Sequence, residues 1–217
     1  MRIDRYLDSA PKSDHAPVWA LGFRPFFLLA ALLVALWLPL WLGVHLGGLG
    51  LPLALDPASW HAHELLFGFA VAVLAGFLLT ASRNWTQGEV PTGRALIGLV
   101  VLWVVGRVVM LVGVDLPLAV VALAACAFLP VVAFLLARTL LKAKNRRNYA
   151  FPILLLVMSA LEVALFVLDT PDRRALLRAS LDVVVVFLVV MGGRVIPFFT
   201  KNALKGVTVS TPSWLAW

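Results

Sequence analysis

Six apolar stretches, each of about 20 residues, run through this chain and limit what it can fold into. A helix of that length crosses the roughly 30 Å hydrocarbon core of a membrane. Lipid offers the backbone no hydrogen-bond partner, so such segments are helical unless they close into a barrel. The sequence therefore predicts an all-α, polytopic transmembrane helix bundle with spans at Phe26–Leu46, Trp60–Ala81, Ala95–Val114, Leu116–Ala137, Tyr149–Leu168 and Leu176–Phe199.

The composition also indicates a membrane environment. Hydrophobic residues make up 62% of the chain and charged residues 13%, whereas about a quarter of a soluble domain is charged. The net charge of +7 is not evidence for nucleic-acid binding, because the basic residues lie between the apolar runs rather than on one face. We therefore expect the lipid bilayer as a partner, and no nucleic acid.

The lysines and arginines predict the orientation of the spans. They concentrate in the N-terminal segment, in the second and fourth loops and in the tail, and the first and third loops contain none. Only the arginines of the fifth loop depart from this pattern. Because basic loops stay on the cytoplasmic side, we expect a cytoplasmic N-terminal segment at residues 1–25, a six-span bundle at 26–200 and a cytoplasmic tail at 201–217.

The motif WHAHELLFGFA opens the second span with two histidines and a glutamate. At about 100° per residue, His61 and Glu64 share one helix face and His63 lies nearly opposite. The two imidazoles therefore either serve different centres, or one ligates a metal and the other hydrogen-bonds. A metal-binding imidazole usually needs an acceptor on its second nitrogen, for which Glu64 and Asp182 are candidates. Gly68 continues the His61 face as a stripe of small residues, which lets another helix or a flat macrocycle approach.

Other polar residues accompany this motif in the predicted bundle. His45 ends the first span on the same side, and Arg107, Glu162 and Asp182 lie in the outer half of later spans, whereas Arg194 lies in the inner half. An ionisable residue at mid-membrane costs at least about 2.5 to 3.5 kcal/mol on insertion scales. Each of these residues must therefore face protein, water, a cofactor or an opposite charge.

Simpler interpretations of the same residues stay open. Two histidines and Glu64 at a helix start are also typical of a polar cap at the membrane interface. Arg107 with Glu162 or Asp182 is also consistent with a structural buried pair. For the whole protein, the intramembrane acids allow a proton- or ion-coupled transporter. A structural membrane subunit without a cofactor is the remaining alternative.

Separated sequence blocks, in the same order along the chain, resemble the NnrS family. These blocks are GFRPFFLLA (Gly22–Ala30), WHAHELLFGFA (Trp60–Ala70), GFLLTASRNWT (Gly76–Thr86), TGR (Thr92–Arg94), KNRRNYAFP (Lys144–Pro152) and MGGRVIPFFTKNAL (Met191–Leu204). That family comprises bacterial inner-membrane proteins that contain haem and copper and are associated with denitrification and the response to nitric oxide. The resemblance implies that this chain acts in nitric oxide metabolism or in protection against nitric oxide stress.

The resemblance also implies cofactors and site residues. We expect copper and a haem b that is held non-covalently, since the single cysteine, Cys126, supplies no CxxCH motif for covalent attachment. The expected ligand is nitric oxide or a related small molecule. The predicted residues are His61, His63 and His45 as metal ligands and Glu64, Arg107, Arg194 and Gly68 as cofactor-binding residues.

Members of the family are longer than this chain, which resembles their N-terminal half. We expect a dimer or a missing C-terminal half to complete any cofactor site that lies between halves. The sequence contains no cysteine cluster and no dinucleotide-binding fingerprint that would bring in electrons. It therefore does not distinguish an enzyme that turns over nitric oxide from a protein that only binds it.

Overall fold

The computed structural model describes residues 16–168 and 170–204, and within these ranges all regular structure is helical, with no strand. Six of these helices are long and apolar enough to cross a membrane. The predicted all-α transmembrane bundle is confirmed, and the protein is a multi-pass membrane protein. Most of the predicted segments 1–25 and 201–217 lies outside the described residues, so their cytoplasmic position stays a prediction.

The helices begin and end within a few residues of the predicted spans. Their bounds are α1, Phe23–His45; α2, Pro57–Thr86; α3, Gly93–Val112; α4, Leu118–Lys142; α5, Ala150–Val167; and α6, Thr170–Ala203. Short 3-10 turns precede α1 and α5 and follow α3. Left-handed residues follow three of the described helices, namely Gly47 after α1, Gln87 after α2 and Lys144 after α4, as is common at helix C-termini.

Helix α2 is the central helix of the bundle. In the most apolar stretch of α2, 61% of the residues are buried, compared with 11% in that of α1 and 17% in that of α6. It packs against α1 and α4, and its middle part also contacts α3 and α6. The middle of α2 is therefore surrounded by protein, whereas the outer faces of α1 and α6 are exposed.

A face of small residues on α2 receives α1. A Cβ atom added to Gly76 would lie 3.0 Å from the Cβ of Phe26 and 3.2 Å from the Cα of Phe23. The hydroxyl of Thr80, one turn further, accepts a hydrogen bond of 2.9 Å from the Phe23 backbone N–H. The small-residue stripe that the sequence predicts on α2 therefore serves, at Gly76, as a contact between two helices.

We expect Gly76→Ala to lower the free energy of unfolding by about 1–3 kcal/mol, because the new methyl group overpacks the contact with α1. Gly98→Ala is the matched control, since a Cβ atom there would meet nothing within 4 Å, and alanine is favoured over glycine in helices by up to about 1 kcal/mol. Thermal unfolding of both variants in one detergent measures the difference. A Gly76→Ala protein as stable as Gly98→Ala would contradict the close approach.

Candidate metal site at the histidine end of the bundle

The start of α2 brings its two histidines to the end of the bundle where α1 finishes. The carboxylate of Asp56 caps the helix by accepting a 3.0 Å hydrogen bond from the Ser59 N–H. Pro57 takes the first helical position, where its missing N–H is not needed. Arg173 of α6 lies 3.6 Å from Asp56, so the cap also joins α2 to the last helix.

Helix α2 changes its winding immediately after His63. Residues Glu64–Ala70 form a π-helical stretch, whose wider turns rotate each residue by less than 100°. Trp103 of α3 supports this stretch by donating a 3.2 Å hydrogen bond from Nε1 to the carbonyl of Gly68. The N–H of Glu64 still bonds the Trp60 carbonyl, so the wider winding changes the helix angles only of the residues that follow Glu64.

Four polar side chains from α2, α3 and α5 meet in the interior, and we call them the His63 cluster. Oε1 of Glu64 accepts a 2.7 Å hydrogen bond from Nη1 of Arg107 and lies 3.1 Å from Nδ1 of His63. Oε1 of Glu162 lies 3.4 Å from Nε2 of the same imidazole. All four residues are no more than 3% exposed. The structure therefore brings Glu64 to His63, and not to His61, with which the sequence grouped it.

The His63 cluster contains polar atoms that lack hydrogen bonds. Nε2 of His63, Oε2 of Glu64 and Nε of Arg107 have no partner among the described residues. The 3.4 Å between His63 and Glu162 exceeds the usual 2.7–3.2 Å of an N–H···O bond. When Nδ1 donates its proton to Glu64, Nε2 carries the lone pair. An imidazole is suited to ligate a metal when one ring nitrogen donates a hydrogen bond to a carboxylate and the other has a free lone pair.

His61 and His45 lie apart from that cluster, at the rim of the bundle, and share Trp41 as a partner. The Trp41 ring stacks on His61 with centroids 3.9 Å apart and on His45 with centroids 4.9 Å apart. His61 is half-buried and His45 is exposed. We call these three residues the Trp41 stack. The two histidines of the motif therefore have separate surroundings, as their helix angles predict.

Tryptophans at this end are a feature that the sequence analysis missed. Besides stacking on both rim histidines, Trp41 precedes His45 by four residues, a spacing that places two side chains on one helix face. Trp37 stacks on the fully buried Trp60 with centroids 6.5 Å apart. The indole N–H groups of all three tryptophans are buried and have no partner in the described structure. Three indole donors therefore lie unpaired beside the histidines in the described structure.

The surroundings of Gly68 differ from the expected open face. A Cβ atom there would lie 2.8 Å from Cδ2 of Leu33 and 3.1 Å from Nη1 of Arg107. The space beside Gly68 is therefore filled by protein side chains. The missing side chain allows Arg107 to pass close to α2 and reach Glu64.

Two predicted residues lie away from both groups of histidines. Asp182 is on the exposed side of α6, so it is not the acceptor for the buried imidazole, whose carboxylate neighbours are Glu64 and Glu162. Arg194 lies towards the other end of α6, where Nη1 donates a 2.6 Å hydrogen bond to Oδ1 of Asn148. Of the predicted intramembrane acids, only Glu162 belongs to the His63 cluster.

Within the described residues, no three His, Cys, Asp or Glu side chains form a group that could hold a metal ion. Each site therefore offers a small donor set. The Trp41 stack presents two imidazoles, and the His63 cluster presents one imidazole beside carboxylates.

Comparison with known protein families gives the same family as the sequence blocks from Gly22–Ala30 to Met191–Leu204. The family model described as NnrS protein matches residues 17–217, which is nearly the whole chain. The chain belongs to the NnrS family. No curated protein and no solved structure matches it, so the geometry described above is the basis for assigning roles to residues within this NnrS-family chain.

The buried ion pair of this NnrS-family chain predicts strong coupling between two substitutions. Arg107→Met leaves the Glu64 carboxylate buried without its cation, which we expect to lower the free energy of unfolding by about 3–5 kcal/mol. Adding Glu64→Gln removes the second charge and recovers much of that loss. Chemical unfolding of the two single variants and the double variant measures the coupling. Strictly additive effects would show that the side chains do not interact.

The helix cap predicts a pH dependence of stability. Burial acts to raise the pKa of Asp56, which lies just outside α2, but the hydrogen bonds from Ser59 and the charge of Arg173 outweigh it and hold the pKa below its ordinary 3.8. A lowered pKa means that folding favours the carboxylate, so its contribution is present above that ordinary value and is lost as the pH falls through the folded-state pKa.

We therefore expect Asp56→Asn, which keeps a capping side chain but removes the charge, to unfold at a lower temperature than wild type at neutral pH. At a pH below the pKa of Asp56 the two proteins should unfold alike. Unfolding midpoints across that pH range are the measurement. A difference that stays constant with pH would mean that the charge plays no part.

Proposed function

We propose that this chain is a metal-binding protein of the bacterial inner membrane that acts in nitric oxide metabolism or in protection against nitric oxide stress. Metal is held at the histidine end in two separate sites, one with His61 and His45 as ligands and one with His63 as a ligand. With the N-terminus cytoplasmic, as the positive charges favour, this end faces the periplasm. Membership of the NnrS family is consistent with this role.

One observation carries the proposal, namely the state of the His63 imidazole. The imidazole is fully buried in an apolar bundle. Burying a polar side chain there costs free energy, and residues buried in this way usually have a functional role. Its Nδ1 lies against the Glu64 carboxylate, and its Nε2 has no hydrogen-bond partner among the described residues. A carboxylate behind an imidazole orients the ring and makes its free nitrogen a better metal ligand.

Copper fits the donors at this end. Imidazole nitrogens suit copper, and the Trp41 stack brings His61 and His45 to one indole where both are accessible. In the His63 cluster, Glu162 lies beside the open nitrogen and is a second donor. A bound copper ion would supply a coordination position for nitric oxide.

The residues around the cluster have supporting roles. Arg107 holds the Glu64 carboxylate through a 2.7 Å hydrogen bond, and Glu64 in turn fixes the imidazole of His63. The rings of Phe67 and Phe166 contact His63 at centroid distances of 5.0 and 5.9 Å and keep water from it. Nitric oxide is small and lipid-soluble, so the apolar bundle admits it without a polar channel.

Haem b does not fit beside Gly68, on the small-residue face where the sequence allows either a helix or a flat macrocycle to approach. Leu33 and Arg107 fill the space beside Gly68, which a flat macrocycle would need. A haem bound by this chain must therefore lie elsewhere, for example against a second copy or a C-terminal half. No role for the residues described above depends on it.

The alternative of a proton- or ion-coupled transporter draws on some of the same residues. Glu162, His63 and Glu64 lie in series and resemble a short relay. A relay across the membrane needs groups at successive depths, and Asp182 is exposed on the outside of α6 instead of extending the series. The donor geometry therefore favours metal binding over transport, and over a purely structural subunit.

We expect the protein, purified in mild detergent after expression with copper, to contain copper that decreases in His63→Ala and in His61→Ala and is lost in the double variant. Glu64→Gln keeps every proposed ligand and should weaken copper binding at the His63 cluster about 10- to 100-fold. Elemental analysis and copper titration measure both effects.

Gln87→Ala, at the opposite end of α2, is the control and should keep the full copper content. A folded wild-type protein without copper, or equal copper in all the variants, would contradict the proposal. An absorption spectrum of the same samples reports separately on haem.

A further inference from the structure

A second candidate site lies at the end of the bundle opposite the histidines. A cavity of about 670 Å³ is lined there by fifteen residues. All of them belong to four of the blocks on which the resemblance to the NnrS family rests, Gly22–Ala30, Gly76–Thr86, Lys144–Pro152 and Met191–Leu204. Four separated parts of the sequence therefore fold together around one cavity.

This cavity is distinct from the proposed metal site. Phe23, which lines the cavity, and His45, which belongs to the Trp41 stack, are the first and last residues of α1. At 1.5 Å per residue they are roughly 33 Å apart along the helix. A ligand in the cavity does not touch the histidines.

Two arginines, Arg194 and Arg147, supply the charge of the cavity. Arg194 is held by neutral partners, since Nη1 donates to Oδ1 of Asn148 at 2.6 Å and Nη2 donates to the Arg147 carbonyl at 3.3 Å. Its Nε is buried without a partner, and its guanidinium lies over the ring of Phe151 at 5.3 Å. Among the described residues, neither arginine forms an ion pair with a carboxylate. Within residues 16–168 and 170–204, therefore, no acidic side chain neutralises the positive charge of the cavity.

Six aromatic side chains form much of the remaining described wall, which opens to the outside of the bundle. Phe27 is 41% exposed and Phe199 is 63% exposed, so the cavity is reached from the surface that faces lipid. Among the described residues, the lining contains no histidine, cysteine, aspartate or glutamate. Aromatic surface beside an unneutralised guanidinium suits an amphiphile with an anionic group.

We propose that this cavity binds an acidic phospholipid. Its phosphate is bound by Arg194 and Arg147, and its acyl chains lie along the aromatic wall towards the bilayer. The position of the cavity at the ends of α1, α2 and α5 matches the depth of lipid headgroups. The surrounding loops are basic, and such segments attract anionic lipids.

Native mass spectrometry of the full chain in detergent tests this proposal with two lipids of identical acyl chains, dioleoyl phosphatidylglycerol and dioleoyl phosphatidylcholine. We expect the anionic lipid to be retained in preference. Arg194→Gln removes a charged hydrogen-bonding group and should weaken its binding about tenfold, whereas Arg194→Lys keeps the charge and should weaken it less. Arg94→Gln, which removes an exposed arginine near the same end, is the matched control and should bind like wild type.

A second variant covers the case in which Arg194→Gln does not fold. Ala81→Phe puts a bulky side chain into the cavity and keeps both arginines, so it should also expel the lipid. Equal retention of the two lipids, equal loss in Arg194→Gln and Arg94→Gln, or unchanged binding in a folded Ala81→Phe protein would overturn the proposal. Displacement of the lipid by inorganic phosphate at equal concentration would identify a site for free anions instead. Porphyrin absorption that Arg194→Gln abolishes while lipid retention stays unchanged would also overturn it.

Discussion

The contact between Arg107 and Glu64 is the interaction on which the interior of this bundle depends. A guanidinium inside an apolar bundle is tolerated only when an opposite charge meets it, and here α3 and α2 supply the two partners at 2.7 Å. The absence of a side chain at Gly68 lets Arg107 pass close to α2. Because the same carboxylate oxygen also faces His63, the pair fixes the orientation of this completely buried imidazole. Packing and candidate chemistry therefore rely on the same contact.

The two ends of the bundle are chemically different. One end gathers histidines, tryptophans and the buried carboxylates, and the other gathers arginines, asparagines and phenylalanines around a cavity. Helix α2 contributes to both, with its N-terminal turns at the first and its C-terminal turns at the second. The π-helical stretch between them changes the winding of α2 directly below the histidines, and such stretches often mark functional sites. A single central helix thus connects a proposed metal site to a proposed lipid site.

The exposed faces of the outer helices bear on what packs against this chain in a membrane. Helices α1 and α6 bury little of their membrane-crossing surface, and Asp182 lies on the exposed side of α6. An acidic side chain that faces hydrocarbon is unfavourable by about 2.5 to 3.5 kcal/mol on insertion scales. Any protein segment packed against that face would remove this cost.

The sequence by itself determined the fold class and the approximate spans. An apolar run of about 20 residues is long enough to cross the membrane as a helix, and in lipid a helix satisfies every backbone hydrogen bond without closing into a barrel. It also separated His61 from His63, since both lie in the regular α-helical turns of α2. It could not decide which histidine Glu64 contacts, because a long side chain reaches both its neighbour His63 and the next turn, nor predict that Asp182 is exposed while Glu162 is buried. Those outcomes, the Trp41 stack and the arginine cavity depend on how distant segments pack, and no local periodicity encodes which helix lies beside which. Only the tertiary structure decided them.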